Sequence, residues 1–303
     1  FLFIQISFVF NLLGQTNSVL SSGEWYKIAT NQNGIYKLNY SDFQDLGVNV
    51  ANLQTNAIKI FGNGGGMLSK LNSDFRHSDL VENAIKIYDV NNNGVFENND
   101  YVLFYGASPH VWHFNETTGL FEHETHLFTD EVNYFLTIDN ASYAKRVGEK
   151  QTLQNSTQII SNYNAFEFHE LELENLIQSG SKWFGERFSY NSKQSFAFSF
   201  PNLIQSEYVD IKVAVAARSF QVSNFKIDVN SSFLTNFSVP LVSSSYAQEY
   251  AKETSVATQY LSNSSNLLID IEYSSPDNGA EAWLNYIEVN ARRKLKLSGN
   301  FFT

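Results

Sequence analysis

The 303-residue chain contains no cysteine, which removes disulfides, thiolate metal sites and a cysteine nucleophile from its chemistry. Proline is scarce, with 4 residues, and charged side chains make up only 17%. The charge that is present leans acidic, at −11 net, which argues against nucleic acid as a partner. Long hydrophobic runs are missing except at the start, where residues 1–13 are apolar apart from Gln5, Ser7 and Asn11 and the first charge is Glu24. Such a run spans about 20 Å as a helix, short of the roughly 30 Å core of a bilayer. Residues 1–20 therefore read as what remains of a secretory signal peptide, without initiator Met or basic leader, and the mature chain is expected to begin between Gln15 and Ser22. The other end stops at FFT, inside a strand-like run, so the whole reads as a fragment of a longer exported protein.

What is abundant is aromatic. Phe (26) and Tyr (16) bring the aromatic share to 15%, and Asn and Ser fill the stretches between. That mixture favours strands joined by polar turns. The expected fold class is mainly β, in two β-rich domains with few short helices. Residues 21–140 form the first domain, 141–164 a polar linker, and 165–303 a β-sandwich of jelly-roll type.

In chain order, Asn33–Gly34 between the β-rich runs 25–29 and 35–38 predicts a hairpin. Residues 41–47 (SDFQDLG) predict one short helix, with Ser41 as N-cap and Gly47 as the stop. The strand AIKIF at 57–61 runs into Gly62–Asn63–Gly64–Gly65–Gly66. A phosphate loop would need Lys and then Ser or Thr after the glycines, and Met67–Leu68 stand there, so the run reads as a tight turn. His110, His113, His123 and His126 crowd the segment 108–128 near Glu116, Glu122 and Glu124. On a strand, positions i and i+3 face opposite ways, so neither histidine pair builds a zinc site locally, and solvated hairpin histidines are expected. Residues 166–177 (FEFHELELENLI) read as helix or exposed strand, with the glutamates on a solvated face. Beyond them, SFAFSF at 195–200 and the alternating runs 208–217, 225–229, 267–273 and 282–289 predict the sandwich strands.

The segment 89–106 (DVNNNGVFENNDYVLFYG) places oxygen side chains at Asp89, Asn91, Asn93, Glu97 and Asp100, with Gly94 after the third. That spacing fits a calcium-binding loop of alternating hard ligands. It also fits an Asn–Gly turn capping a hairpin, since Asp100 stands where such loops usually end in a bidentate Glu, and a strand follows where a helix belongs. Any ion here would be structural; otherwise no cofactor is expected.

An ordered series of segments carries a family resemblance: SGEWYKIA with GIYKLNY, IFGNGGGM, DLVENAI, DYVLFYG followed by SPHVWHF, then SGSKWFGERF and AWLNYIEVNARRKL. Together they cover most of residues 21–297 and are similar to the N-terminal region of the type IX secretion system sortases of Bacteroidetes, which belong to the gingipain family of cysteine peptidases. The resemblance implies a surface-exposed, outer-membrane-associated parent that removes C-terminal sorting domains from exported cargo and passes the cargo to a lipopolysaccharide anchor. The catalytic His and Cys of that family lie in a caspase-like α/β domain following this region, so no catalytic residue is carried over to this chain. The partners it implies are the parent's own downstream catalytic domain, outer-membrane type IX components and cargo proteins. In SGSKWFGERF, Trp183, Phe184 and Arg187 are candidate interface residues, two large anchors and a bidentate donor; they also suit a core. A carbohydrate-binding or adhesin-like sandwich is the alternative of a different class.

Overall fold

The computed structural model describes residues 18–152, 155, 158–189, 192–245, 249–298 and 301–302. Residues 1–17 of the expected signal segment and the final Thr303 lie outside them. No helix among the described residues is long and apolar enough to cross a membrane. The chain is mainly β and divides into two compact units, residues 1–111 with 126–151, and residues 112–125 with 152–303.

The first unit contributes β1 (Trp25–Thr30), β2 (Gly34–Asn39), α1 (Tyr40–Asp45), β3 (Ile58–Phe61), β4 (Glu82–Asn83), β5 (Lys86–Tyr88) and β6 (Tyr101–Gly106). A hairpin of β7 (Val111–Asn115) and β8 (Leu120–Glu124) then groups with the second unit, and β9 (Val132–Ile138) returns to the first. Two sheets result, ordered β1-β9-β3-β4 and β2-β6-β5. The hairpin expected at Asn33–Gly34 does not form: β1 pairs with β9 and β2 with β6. A two-residue hairpin turn of type I′ needs positive φ at both central residues, and neither Asn33 nor Gly34 has it. Instead the Asn33 carboxamide accepts the Ser108 amide at 2.9 Å, and the connection passes from one sheet to the other.

Phe43, Ile58, Ile60, Phe96, Val102, Phe104, Tyr134 and Leu136 fill the core of this unit. The short helix occurs as expected, but its N-cap lies two residues earlier. Asn39, not Ser41, is its N-cap, and the Asp42 carboxylate accepts the Asn39 amide at 2.6 Å. The glycine run is a turn, with positive φ at Gly64 and Gly66. Gly62 and Gly65 serve close approach: a Cβ on Gly65 would lie 1.8 Å from the Ser108 carbonyl oxygen, and one on Gly62 2.5 Å from the Tyr134 ring.

The second unit continues with β10 (Asn162–Glu170), β11 (Arg187–Phe188), β12 (Lys193–Ser199), β13 (Val209–Arg218), β14 (Ser223–Val229), β15 (Ser232–Val239), β16 (Lys252–Tyr260), β17 (Asn266–Ser274) and β18 (Glu281–Lys294). One sheet has the order β10-β18-β13-β16, with β11 also on β18; the other has β12-β17-β14-β15. Between them lies a shared core that includes Phe188, Phe225, Ile227, Ile269, Tyr273, Leu284, Ile287 and Val289. This is a β-sandwich. The alternation seen in the sequence sends Val209, Ile211, Val213 and Val215 into that core.

The outer face of the β10-β18-β13-β16 sheet is covered too, which simple alternation does not foresee. Trp112 of β7 packs on Phe166 and Phe168, with ring centroids 4.3 and 5.5 Å away, and Phe121 of β8 packs on Phe166 at 4.3 Å. Further along, Phe184 joins Trp283 and Ala216 in a small satellite core. Covered on both sides, β18 buries nearly every residue from Ala282 to Ala291, charged Glu288 included. Residues 166–177 are not helical: β10 extends to Glu170 and an irregular segment follows. The expected linker 141–164 is in part ordered structure. Val147 donates to the Ile85 carbonyl at 3.0 Å within the first unit, and β10 begins at Asn162.

Candidate functional site

The densest polar constellation lies under the β7–β8 hairpin. His123 on β8 points inward, its side chain 3% exposed, and sits between two carboxylates: Nδ1 is 2.6 Å from Glu288 Oε1 on β18, and Nε2 is 2.9 Å from Glu170 Oε2 on β10. The His123 backbone amide donates to Glu288 at 3.0 Å, and the Thr125 hydroxyl donates to Glu170. Lys212 on β13 approaches the other Glu288 oxygen at 3.4 Å and lies over the Tyr286 ring. The imidazole stacks on Phe168 at 4.2 Å and meets the Tyr286 ring edge-on at 5.0 Å. Beside it, the Asn290 carboxamide accepts the Phe121 amide at 2.8 Å and donates to the Phe121 carbonyl at 2.9 Å, mimicking a strand partner for β8.

Burial alone pulls the His123 pKa down, but hydrogen bonds to Glu170 and Glu288 outweigh it and leave the pKa raised. Burial likewise pushes both glutamates up, yet their bonds from His123 hold them below the usual carboxylate range. The group is thus an imidazolium between two carboxylates, with Lys212 as a second cation. Buried charges persist only when paired in this way. His123 therefore corrects the expectation of solvated histidines, and Glu170 that of a wholly solvated glutamate face. His113 does remain exposed, paired with Glu124 at 2.9 Å. Every nitrogen of the His123 ring is engaged, so the cluster is suited to holding the hairpin in place and presents no free nucleophile or base.

The Asp89 loop in the first unit is drawn together by its own side chains. Asp89 accepts the Asn93 and Gly94 amides at 3.3 and 2.7 Å, and Asp100 accepts those of Val90 and Glu97 at 2.9 and 2.8 Å. The side-chain amides of Asn91 and Asn93 reach the Glu97 carboxylate at 2.9 and 3.3 Å. All five residues singled out from the sequence thus belong to one turn, with Asp89, Asn91, Asn93 and Glu97 converging. Among the described residues, no group of three or more His, Cys, Asp or Glu is arranged to hold a metal ion.

The three residues of SGSKWFGERF separate. Phe184 is buried in the satellite core, Trp183 is 41% exposed, and Arg187 forms a surface ion pair with Glu281. Exposed Leu173 and Ile177 lie on the same irregular segment as Trp183.

No protein-family model matches the sequence, and no curated protein matches it. Likeness to known proteins is found instead at the level of fold. Latent, dimeric PorU from Porphyromonas gingivalis superposes over 93% of this chain with a TM-score of 0.74 and 22% identity. The chain spans a quarter (25%) of that protein's length. A calcium- and xylotriose-bound carbohydrate-binding module of family 36 covers 43% of the chain at a TM-score of 0.26 and 13% identity, and 99% of that module is covered. A second family-36 module, from a xylanase of the hindgut metagenome of Trinervitermes trinervoides, covers 42% at 0.27 and 11% identity, with 96% of that module covered. Likeness at that level carries no argument about function. The fold is PorU-like.

Proposed function

We propose that this chain is the N-terminal, non-catalytic region of a type IX secretion sortase, a cysteine peptidase that removes C-terminal sorting domains from exported cargo. The observation that carries the reading is the PorU-like fold over 93% of the chain. The ordered segments from SGEWYKIA to AWLNYIEVNARRKL support it, and the absence of cysteine keeps the peptidase nucleophile out of this chain. On this reading the parent is exported and held at the cell surface. Its β-rich units pack against, position or shield the catalytic domain, and outer-membrane type IX components and cargo are the further partners. Trp183 and Arg187 are candidate contacts on that route, while the Asp89 loop is at most a structural ion clip.

The test is direct. The purified 303-residue chain is incubated with a sorting-domain peptide, alone and with a separately produced catalytic region of a type IX sortase. The chain alone should give no cleavage and should co-elute with the catalytic region on size exclusion. Cleavage by the chain alone, or failure to associate, overturns the proposal.

A further inference from the structure

We infer that the second unit carries a groove for an extended polypeptide, which adds as a strand to the free edge of β16 and places a lysine or arginine side chain in the cleft beside β8. Two independent features of the unit support this. The first is the edge. β16 is the terminal strand of its sheet and pairs only with β13, from Val209↔Tyr260 to Ala217↔Lys252. Its nine residues, KETSVATQY, alternate half-buried and exposed, and contain no proline. Among the described residues, no backbone group of this strand bonds to any other segment. Both charges, Lys252 and Glu253, sit at its beginning, so Thr254 to Tyr260 lack the lysines, bulges and prolines by which sheet edges normally resist pairing. An exposed edge of this length is a template for strand addition, with main-chain bonds supplying affinity.

The second feature is a cleft of about 390 Å³ on the outer face of the same sheet, walled by the hairpin and floored by β13 and β16. Leu120, Phe121 and Ala257 give it apolar sides. Its charged lining is Glu122, Asp210 and Glu288 against the single Lys212. Glu288 is neutralised by His123 and Lys212. Among the described residues Glu122 and Asp210 are held by neutral amides, from Asn115 at 3.1 Å and Gln259 at 2.7 Å, and neither forms an ion pair. Apolar sides with carboxylates in the lining fit a long basic side chain, whose methylene stem packs on Leu120, Phe121 and Ala257 while its cation meets Asp210 or Glu122. Because Gln259 of the edge strand lies directly opposite Asp210, a strand added to β16 would run alongside the cleft. Together the edge sets the partner's conformation, and the cleft selects its side chain. This inference stands apart from the sortase reading and needs no catalytic domain.

Fluorescence anisotropy on the 303-residue chain tests it, with labelled peptides of alternating Thr and Val as long as the nine residues of β16. A central lysine peptide should bind, a norleucine replacement should bind about tenfold more weakly, and the lysine preference should weaken with salt. In the Asp210→Asn, Glu122→Gln double variant, which keeps the size of both side chains and one acceptor oxygen on each, that preference should vanish. Peptides N-methylated at alternate residues should bind in one methylation pattern and fail in the other, as for pairing along one edge. Equal binding of lysine and norleucine peptides, a preference that survives the double variant, indifference to both methylation patterns, or no binding at millimolar peptide would each overturn the inference. So would a chain dimer that the peptide cannot displace, which would make a second copy the occupant of the edge.

Discussion

His123 Nδ1 and Glu288 Oε1 stand 2.6 Å apart beneath the β7–β8 hairpin, one on a strand contributed from the middle of the first unit's sequence, the other on the outer face of β18, an interior strand of its sheet. The pair couples residues 165 positions apart in the chain and is closed by Glu170 on the imidazole's far side. A hairpin held otherwise by aromatic packing and the two Asn290 hydrogen bonds to Phe121 is thereby pinned by charge as well.

Removing the imidazole should be costly because it leaves two buried carboxylates facing one another. His123→Ala is expected to destabilise the second unit by about 3–5 kcal/mol, a fall in Tm on the order of 10 °C for a unit of this size. His113→Ala, which breaks an exposed pair with Glu124, should cost less than about 1 kcal/mol. Differential scanning calorimetry of the two variants separates the cases, and equal small shifts would remove the clasp from the account.

The same cluster sets a pH dependence. The folded His123 pKa lies above its ordinary 6.5, so its contribution is complete below that pH and is lost as pH rises through the raised value. Glu170 and Glu288 lie below their ordinary 4.5, so theirs is complete above that pH and is lost as pH falls through the depressed values. The clasp should therefore be strongest between 4.5 and 6.5. A Tm profile whose maximum in this window flattens in His123→Ala meets the expectation; an unchanged profile contradicts it.

How much of this the sequence discloses depends on the number of layers. Alternation in 208–217 and 267–273 shows the inward faces correctly, because one face of each strand meets the sandwich core. The burial of Glu288 and Asn290 is not legible in AWLNYIEVNA, since the layer covering them is a hairpin from residues 112–125, far away in sequence. Local spacing makes His113 and His123 look alike, and only tertiary placement distinguishes an exposed ion pair from a buried clasp. The Asn33–Gly34 hairpin fails for a related reason, as each flanking strand has a partner in a different sheet, from the β6 and β9 regions.

The glycine run offers a contrast between backbone conformation and space. Gly64 has φ +82° with nothing near a Cβ, whereas the Gly65 Cβ would meet the Ser108 carbonyl at 1.8 Å. Gly64→Ala should cost about 1 kcal/mol through strain, and Gly65→Ala more than about 2 kcal/mol, because backbone has to move. Urea unfolding of the first unit measures both, and the reverse order would refute the close-approach role.

Lys59, 2% exposed on β3, reaches Asp139 at 2.5 Å. The Lys59 hydrogen bond holds the Asp139 pKa below its ordinary 3.8, so this stabilisation is present above that pH and is lost as pH falls through the depressed value. Asp139→Ala leaves the ammonium with the Ser142 hydroxyl as its remaining partner and, Asp139 itself being 39% exposed, should cost about 1–2 kcal/mol, while the double replacement Lys59→Met, Asp139→Ala should recover most of that loss. A double-mutant cycle with no coupling would show that the pair is incidental.

The Asp89 loop is where ion and turn can be told apart. Asn91 and Asn93 direct their amide nitrogens at Glu97 while their carbonyl oxygens accept the Asn93 and Val95 backbone amides at 3.2 and 2.8 Å, so offering those oxygens to a calcium ion would cost the turn both backbone bonds. If the loop takes calcium, millimolar calcium raises the Tm of the first unit and Asp89→Ala abolishes that rise. The variant should also lower the calcium-free Tm, since the Asn93 and Gly94 amides lose their acceptor, at about 1–2 kcal/mol. Magnesium, which prefers a smaller octahedral shell, should not substitute. If calcium leaves the wild-type Tm unchanged while Asp89→Ala still lowers it, the loop is a hydrogen-bonded turn and its oxygen spacing serves the backbone alone.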